Sequence, residues 1–109
     1  MLNWSLTALG REQLELARAA TSGRSSRTVF GGHEHKLRQM VIALAAGHKL
    51  GEHANPGEAT VHVLQGRVRL VAGDDSWQGE PGHFIVVPDA SHSLEAIEDS
   101  VVLLTAVMT

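Results

Sequence analysis

The sequence predicts an all-β domain with one N-terminal α-helix, built as a sandwich or barrel. From residue 28 onward, short runs rich in branched aliphatic residues alternate with turn residues such as Gly, Pro, Asn and Asp. No helical pattern separates these runs, and many short strands without intervening helices are typical of sandwiches and barrels. Before residue 28, one stretch has the three- and four-residue spacing of an amphipathic helix.

The helical pattern covers residues 5–22. Its predicted buried face consists of Leu6, Leu9, Gln13, Leu16, Ala17 and Ala20. Ser5 or Thr7 can cap the start of the helix, and Gly23 stands where a C-terminal cap belongs. An isolated helix of this length is marginal in water, so we expect it to dock outside the barrel or against a partner subunit.

The remaining chain reads as strands and turns. The predicted strands are residues 28–30, 37–45, 59–65, 67–72, 83–87, 92–97 and 101–107, with a short strand at 77–78. Residues 23–27 are polar and predict a linker, which divides the chain into a helix and linker at 1–27 and a barrel domain at 28–109. The alternation of polar and apolar residues at 67–70 predicts a strand with one solvent-exposed face and one buried face. The continuous apolar runs at 83–87 and 101–107 predict strands covered on both faces.

Composition excludes several classes of function. The chain of 109 residues has no cysteine, which excludes disulfides, thiolate zinc sites and cysteine nucleophiles. Its net charge of −3 argues against a protein that grips nucleic acid through a basic face. No apolar run is long enough to span a bilayer, and residues 1–9 have no secretory pattern, so we expect a cytoplasmic protein without membrane contacts.

Residues 47–66 carry a recognisable pattern of Gly and His. Gly47 and Gly66 mark its ends, and His53 stands between them at the first position of a His-x-His pair. This stretch resembles the first signature of the cupin superfamily. Gly82, Pro88 and His92 resemble the second signature, with one residue fewer before the histidine. The resemblance covers residues 37–107 and implies a cupin-type β-barrel, also called a jelly roll.

The same resemblance implies three histidines and one carboxylate that hold one divalent transition metal ion at the barrel mouth, such as iron, manganese, nickel, copper or zinc. The sequence keeps only His53 and His92 of that set. Asn55, a poor transition-metal ligand, replaces the second histidine, and Ala59 replaces the carboxylate, with Glu58 one place early. The predicted metal ligands are therefore His53 and His92 alone.

Two functions stay open on these residues. In the first, the barrel binds or senses a small molecule without metal catalysis. Its predicted pocket is lined by His53, Asn55, Val61, Val63 and His92. In the second, His53, His92 and a third group form the metal centre of an isomerase or dioxygenase. Glu58, Asn55 and the other histidines are the candidates for that third group.

The other histidines have simpler interpretations. His62 has the opposite strand parity to Ala59, which predicts that it faces away from the pocket. His33 and His35 share a strand spacing, and an exposed or hydrogen-bonded pair is the favoured interpretation. A dimer contact is the alternative for that pair. Arg38 is a candidate for contact with an anionic ligand.

The family resemblance also implies assembly. Small members of this family are typically dimers whose subunits share strands, so the resemblance implies a homodimer. The apolar strand at residues 101–104, together with the docked helix, is the candidate interface.

Overall fold

The structure is a computed structural model that describes residues 1–53 and 57–108, with side chains described throughout these ranges except at positions 52, 53 and 108. Within them, the chain forms helix α1 (Leu6–Ala19) followed by nine strands. The strands are β1 (Arg24–Phe30), β2 (Leu37–Leu44), β3 (Lys49–His53), β4 (Gly57–Gln65), β5 (Val68–Ala72), β6 (Asp75–Gly79), β7 (Phe84–Val86), β8 (His92–Ala96) and β9 (Ser100–Met108). No helix in the described part of the chain is long and apolar enough to cross a membrane.

The strands form two antiparallel sheets. The five-stranded sheet has the order β1-β2-β9-β4-β7, and the four-stranded sheet has the order β3-β8-β5-β6. An apolar core fills the space between them, with Leu44, Val63 and Val68 among its most buried side chains. The predicted all-β class with one N-terminal helix is confirmed.

Helix α1 begins as the sequence predicts but buries a different face. Ser5 caps it, because its Oγ accepts a hydrogen bond from the Ala8 backbone N–H at 3.1 Å. The predicted burial of Leu16 is wrong, since that side chain is 52% exposed, and Leu14 is buried instead. The helix ends at Ala19, so its last predicted turn is absent.

The outer face of the five-stranded sheet receives the helix. A second apolar cluster joins Leu9, Leu14 and Ala17 of α1 to strand residues that include Val41, Ala43 and Val101. A Cβ atom at Gly10 would lie 3.1 Å from Cγ1 of Val101, so this glycine lets the helix approach the sheet closely. The helix therefore docks outside the barrel, as expected.

Two parts of the predicted strand pattern are wrong. Residues 24–27 do not form a linker, because they belong to β1 and pair with residues 41–44 of β2. Strand β3 (Lys49–His53) was missed, because its residues do not follow a simple apolar alternation. The helix thus joins the sheet through a short turn in which Gly23 adopts a φ of +68°.

The two continuous apolar runs have different outcomes. In β9, Val101 and Leu103 face the helix while Val102 and Ala106 face the inter-sheet core, which confirms that both strand faces are covered. The run at 83–87 does not behave this way. Two of its side chains, Phe84 and Val86, are 60% and 67% exposed on the outer face of the sheet edge.

Strand β9 cannot supply the expected interface edge. It lies at the centre of its sheet and pairs with β2 on one side and β4 on the other. Val101 and Val102 are each 1% exposed within the single chain. Val101 and Val102 are therefore covered by the chain's own packing, whereas Leu103 and Leu104 remain partly exposed.

Candidate functional site

A central cavity of about 140 Å³ lies between the two sheets. The five-stranded sheet contributes Ile42, Ala59, Val61, Val102, Leu104 and Ala106 to its wall. The facing wall consists of Leu50, Leu70, His92 and Leu94 from the second sheet, with Val87 beside them. Nearly every lining group is aliphatic, so the cavity favours hydrocarbon over water.

Two small side chains help to create this space. Ala59 of β4 and Ala106 of β9 are register partners, so their methyl groups lie side by side on the inner face of the sheet. Larger aliphatic residues occupy the neighbouring inner positions, for example Val61 and Leu104. Both alanines are therefore part of the cavity wall.

His92 is the polar side chain among the described lining residues. It is 6% exposed, and its Nδ1 lies 2.9 Å from the backbone oxygen of Ala90. A carbonyl oxygen can only accept, so Nδ1 carries the proton in this contact. In the neutral ring, Nε2 then has the lone pair and acts as the acceptor.

The predicted pocket residues have different placements. Val61 and His92 line the cavity, whereas Val63 is fully buried in the inter-sheet core and is not one of the cavity-lining residues. Asn55 and the side chain of His53 lie outside the described residues. The backbone of His53 is described, and His53 is the register partner of His92 across β3 and β8.

The described side chains do not assemble a metal centre. Ala59, at the position where the family resemblance implies a carboxylate, presents a methyl group to the cavity. Glu58 is exposed, and His62 faces the outer side of β4 opposite Phe84. Among the described side chains, which do not include those at positions 52–56, no three His, Asp or Glu groups come close enough together to bind one ion. The donor set therefore does not fit a transition metal through the described side chains.

The remaining histidines lie at the surface. His33 and His35 are exposed in the turn between β1 and β2, and the ring of His35 lies 4.7 Å from that of Phe30. His83 accepts a hydrogen bond at Nδ1 from the backbone N–H of Glu80. His48 is exposed beside Gly23. None of the four lines the central cavity.

A second cavity of about 290 Å³ opens between β1 and β3, and the sequence analysis missed it. Its lining residues are Ser22, Arg24, Ser25, Ser26, Met40, Ile42 and Leu50. Ile42 and Leu50 also line the central cavity, so the two spaces share a wall. Residues 24–28 are uniformly polar, so the sequence predicts a linker there and gives no signal of this cavity.

Arg38, the predicted contact for an anionic ligand, has another environment. It is exposed, and its side chain packs beside Gly31. It lines neither the central cavity nor the opening between β1 and β3. Arg24 is the cation that borders the opening.

Comparison with known families and solved structures confirms the predicted cupin-type fold. The family profile described as "Cupin domain" matches residues 40–108. Comparison with curated proteins gives no match.

Several solved structures share the fold. A conserved protein of unknown function from Streptococcus pyogenes is 28% identical, with a TM-score of 0.73 over 83% of this chain and 78% of that one. An RmlC-like cupin protein from Desulfovibrio desulfuricans is 26% identical, with a TM-score of 0.66 over 75% of this chain and 79% of that one. The DMSP lyase DddQ from Ruegeria pomeroyi is 18% identical, with a TM-score of 0.66 over 75% of this chain and 45% of that one, which is a likeness of fold alone.

Proposed function

This chain belongs to the cupin domain family, and we propose that it binds a small organic molecule inside its barrel, in a binding or sensing role without metal catalysis. The observation that carries this proposal is the central cavity of about 140 Å³, with aliphatic walls and one buried histidine. A dry apolar cavity of about 150 Å³ is large enough to hold benzene. The cavity therefore matches a ligand with a hydrocarbon part of about that size.

The lining indicates how such a ligand would be held. Transfer of each ligand CH₂ group from water into the cavity contributes about 0.8 kcal/mol. Contacts with Val61, Leu70 and Leu94 on opposite walls would supply this free energy. His92, fixed through its bond to Ala90, gives the wall a directional polar group.

Ligand binding is tested by filling the cavity. We expect small apolar probes such as benzene and toluene to raise the melting temperature of the native chain and to give saturable shifts in its amide NMR spectrum. Ala59→Leu should abolish both effects because the larger side chain occupies the cavity. Ala19→Leu, at an exposed position on α1, is the matched control and should retain both. Equal responses from the native chain and Ala59→Leu would contradict the proposal.

A metal-dependent enzyme of the isomerase or dioxygenase type is the competing function. The register pairing of His53 with His92 favours it, because it brings the two retained family positions to adjacent strands. Ala59 disfavours it, since the wall lacks the carboxylate there.

Elemental analysis separates the two functions. The measurement uses untagged protein purified without chelator and then exposed to divalent ions. We expect less than stoichiometric metal in the native chain, with no change in the variants His53→Ala and His92→Ala. The control is His83→Ala, at a surface histidine. Stoichiometric metal that is lost in the two site variants and kept in the control would favour the metal-dependent enzyme and contradict the metal-free function.

We also propose that the chain forms a homodimer, through the outer face of β4 and β7. Helix α1 packs mainly on β1, β2 and β9 and reaches β4 near Leu64. Phe84 and Val86 lie on β7, exposed on the outer side of the edge strand. Two large apolar side chains on one open sheet face are typical of a protein interface. A second copy could cover both.

Sedimentation velocity tests this assembly. We expect a dimer at micromolar concentration and a monomer for Phe84→Ser combined with Val86→Ser. Leu16→Ser, at an exposed apolar position on the far helix surface, should remain dimeric. A native chain that sediments as a monomer, or a double variant that stays dimeric, would exclude this interface.

A further inference from the structure

The inner face of the edge strand β1 is polar and uncovered. Arg24, Ser26 and Thr28 alternate along it and are exposed. Their register partners on β2 are Leu44, Ile42 and Met40. Directly opposite residues share a sheet face, so the three polar side chains of β1 lie on the side of the sheet that faces the barrel interior.

This polar strip adjoins the central cavity. The opening between β1 and β3 is lined by the exposed residues Arg24 and Ser26 and by the half-buried Met40. Ile42 and Leu50 form part of the wall of both spaces. A molecule that passes between these two side chains would extend from the apolar cavity toward the guanidinium group.

Arg24 supplies positive charge at this opening. Arg18, Arg67 and Arg69 each pair with a carboxylate, whereas the guanidinium of Arg24 makes no ion pair in the described part of the chain. The lining of the opening contains no Asp or Glu. Ser26, on the same strand face as Arg24, also lines the opening, and its hydroxyl can donate to an anion.

We propose that the ligand is an amphipathic organic monoanion, whose carboxylate binds Arg24 at the opening while its hydrocarbon part fills the central cavity. This inference rests on the proposed small-molecule function and adds the chemical class of the ligand. A guanidinium group matches a carboxylate in charge and in its paired donor geometry. One unpaired guanidinium neutralises one negative charge, which favours a carboxylate over a phosphate dianion.

The test compares hexanoate with hexanamide, which differ in charge at nearly constant size. We expect the native chain to bind hexanoate about five-fold more tightly than hexanamide by NMR titration, an effect that matches an exposed ion pair. Arg24→Gln should weaken hexanoate binding about five-fold and leave hexanamide binding unchanged. Raising the salt concentration should reduce the preference for hexanoate because exposed charges are screened.

Arg27→Gln is the matched control. Arg27 lies on the same strand with the same charge, but on the opposite face, where its guanidinium carbon is 5.1 Å from the centroid of the Trp4 ring. This variant should bind hexanoate like the native chain. Equal weakening by Arg24→Gln and Arg27→Gln would mean general electrostatic attraction and would overturn the inference.

The remaining outcomes separate this inference from the proposed function. Equal affinity of hexanoate and hexanamide, unaffected by Arg24→Gln but lost in Ala59→Leu, would overturn the anion inference and leave the cavity function standing. Failure of both probes and of benzene to bind would overturn both. Binding of hexanoate that depends on Arg24 but persists in Ala59→Leu would place the whole ligand at the surface and overturn the two-part mode.

Discussion

The five-stranded sheet buries side chains on both of its faces, but it does so in different ways. On the inner face, the second sheet leaves a cavity of about 140 Å³ beside Ala59 and Ala106. On the outer face, α1 packs closely, and both Ala17 and Ala43 are completely buried. The difference shows that small residues at a sheet face can lead either to a cavity or to close packing. They leave a cavity where no element fills the gap, and they permit close contact where a helix does.

The largest expected effect concerns the helix side. Leu14→Ala should lower the free energy of unfolding by about 2–4 kcal/mol, because it removes a buried side chain from the close contact between α1 and the sheet. Leu16→Ala, two positions away and half exposed, should change it by about 0.5 kcal/mol or less. Urea unfolding followed by circular dichroism measures both. Similar losses in the two variants would mean that the helix does not dock through the Leu14 face.

An intermediate effect on stability is expected when the same substitution, Ala to Val, is made on the outer and on the inner face of the five-stranded sheet. Ala43→Val, under the helix, should destabilise the chain by about 1–3 kcal/mol because no space is available for the added carbons. Ala59→Val, in the cavity wall, should stay within about 0.5 kcal/mol of the native stability because the added methyl groups enter the cavity. Both positions are strand interiors, so the intrinsic strand preference of valine is shared by the two variants.

Urea denaturation of the two variants checks this contrast. The decisive quantity is the difference between their free energies of unfolding, rather than either value alone. A destabilisation of Ala59→Val as large as that of Ala43→Val would mean that the cavity wall cannot accept added volume. The contrast between the two faces would then fail.

Local pattern was enough to predict the fold class and part of the site. The alternation at residues 67–70 gave the correct dry face, with Val68 and Leu70 buried. Gly66, at the end of the first signature, adopts a φ of +84°, and a Cβ atom there would clash with the backbone oxygen of Asp99. His92, marked by the second signature, lines the cavity.

The rest depends on contacts between distant segments. Leu14 and Leu16 flank the helical stripe on opposite sides, and the position of the helix across the sheet decides which flank is covered. Phe84 and Val86 belong to the apolar run at residues 83–87, which predicts burial on both faces. They are exposed because β7 lies at a sheet edge beyond the helix. Arg24 was assigned to a linker because only its pairing with β2 reveals a strand. No local pattern contains that information.

The smallest expected effect concerns the ion pair between Arg18, near the end of α1, and Asp99, in the turn between β8 and β9. Asp99 accepts hydrogen bonds from the backbone N–H of Ala46 and from Nε of Arg18, each at 2.8 Å. The bond from Ala46, followed by that from Arg18, holds the pKa of Asp99 below its ordinary value. Asp99→Asn should therefore lower the free energy of unfolding by less than about 1 kcal/mol at neutral pH, because the pair is largely exposed to solvent.

The contribution of Asp99 to the free energy of unfolding should depend on pH. A carboxylate whose pKa is lower in the folded state stabilises the fold above its unfolded pKa of about 3.9, and the contribution disappears as the pH falls through the folded value. The stability difference between the native chain and Asp99→Asn should thus be constant from pH 7 to about 5 and should vanish in stronger acid. Glu12→Gln, which removes one exposed charge from the same helix, is the matched control. A constant difference across the whole range would mean that the charge of Asp99 contributes nothing and that the loss comes from changed packing at the end of the helix.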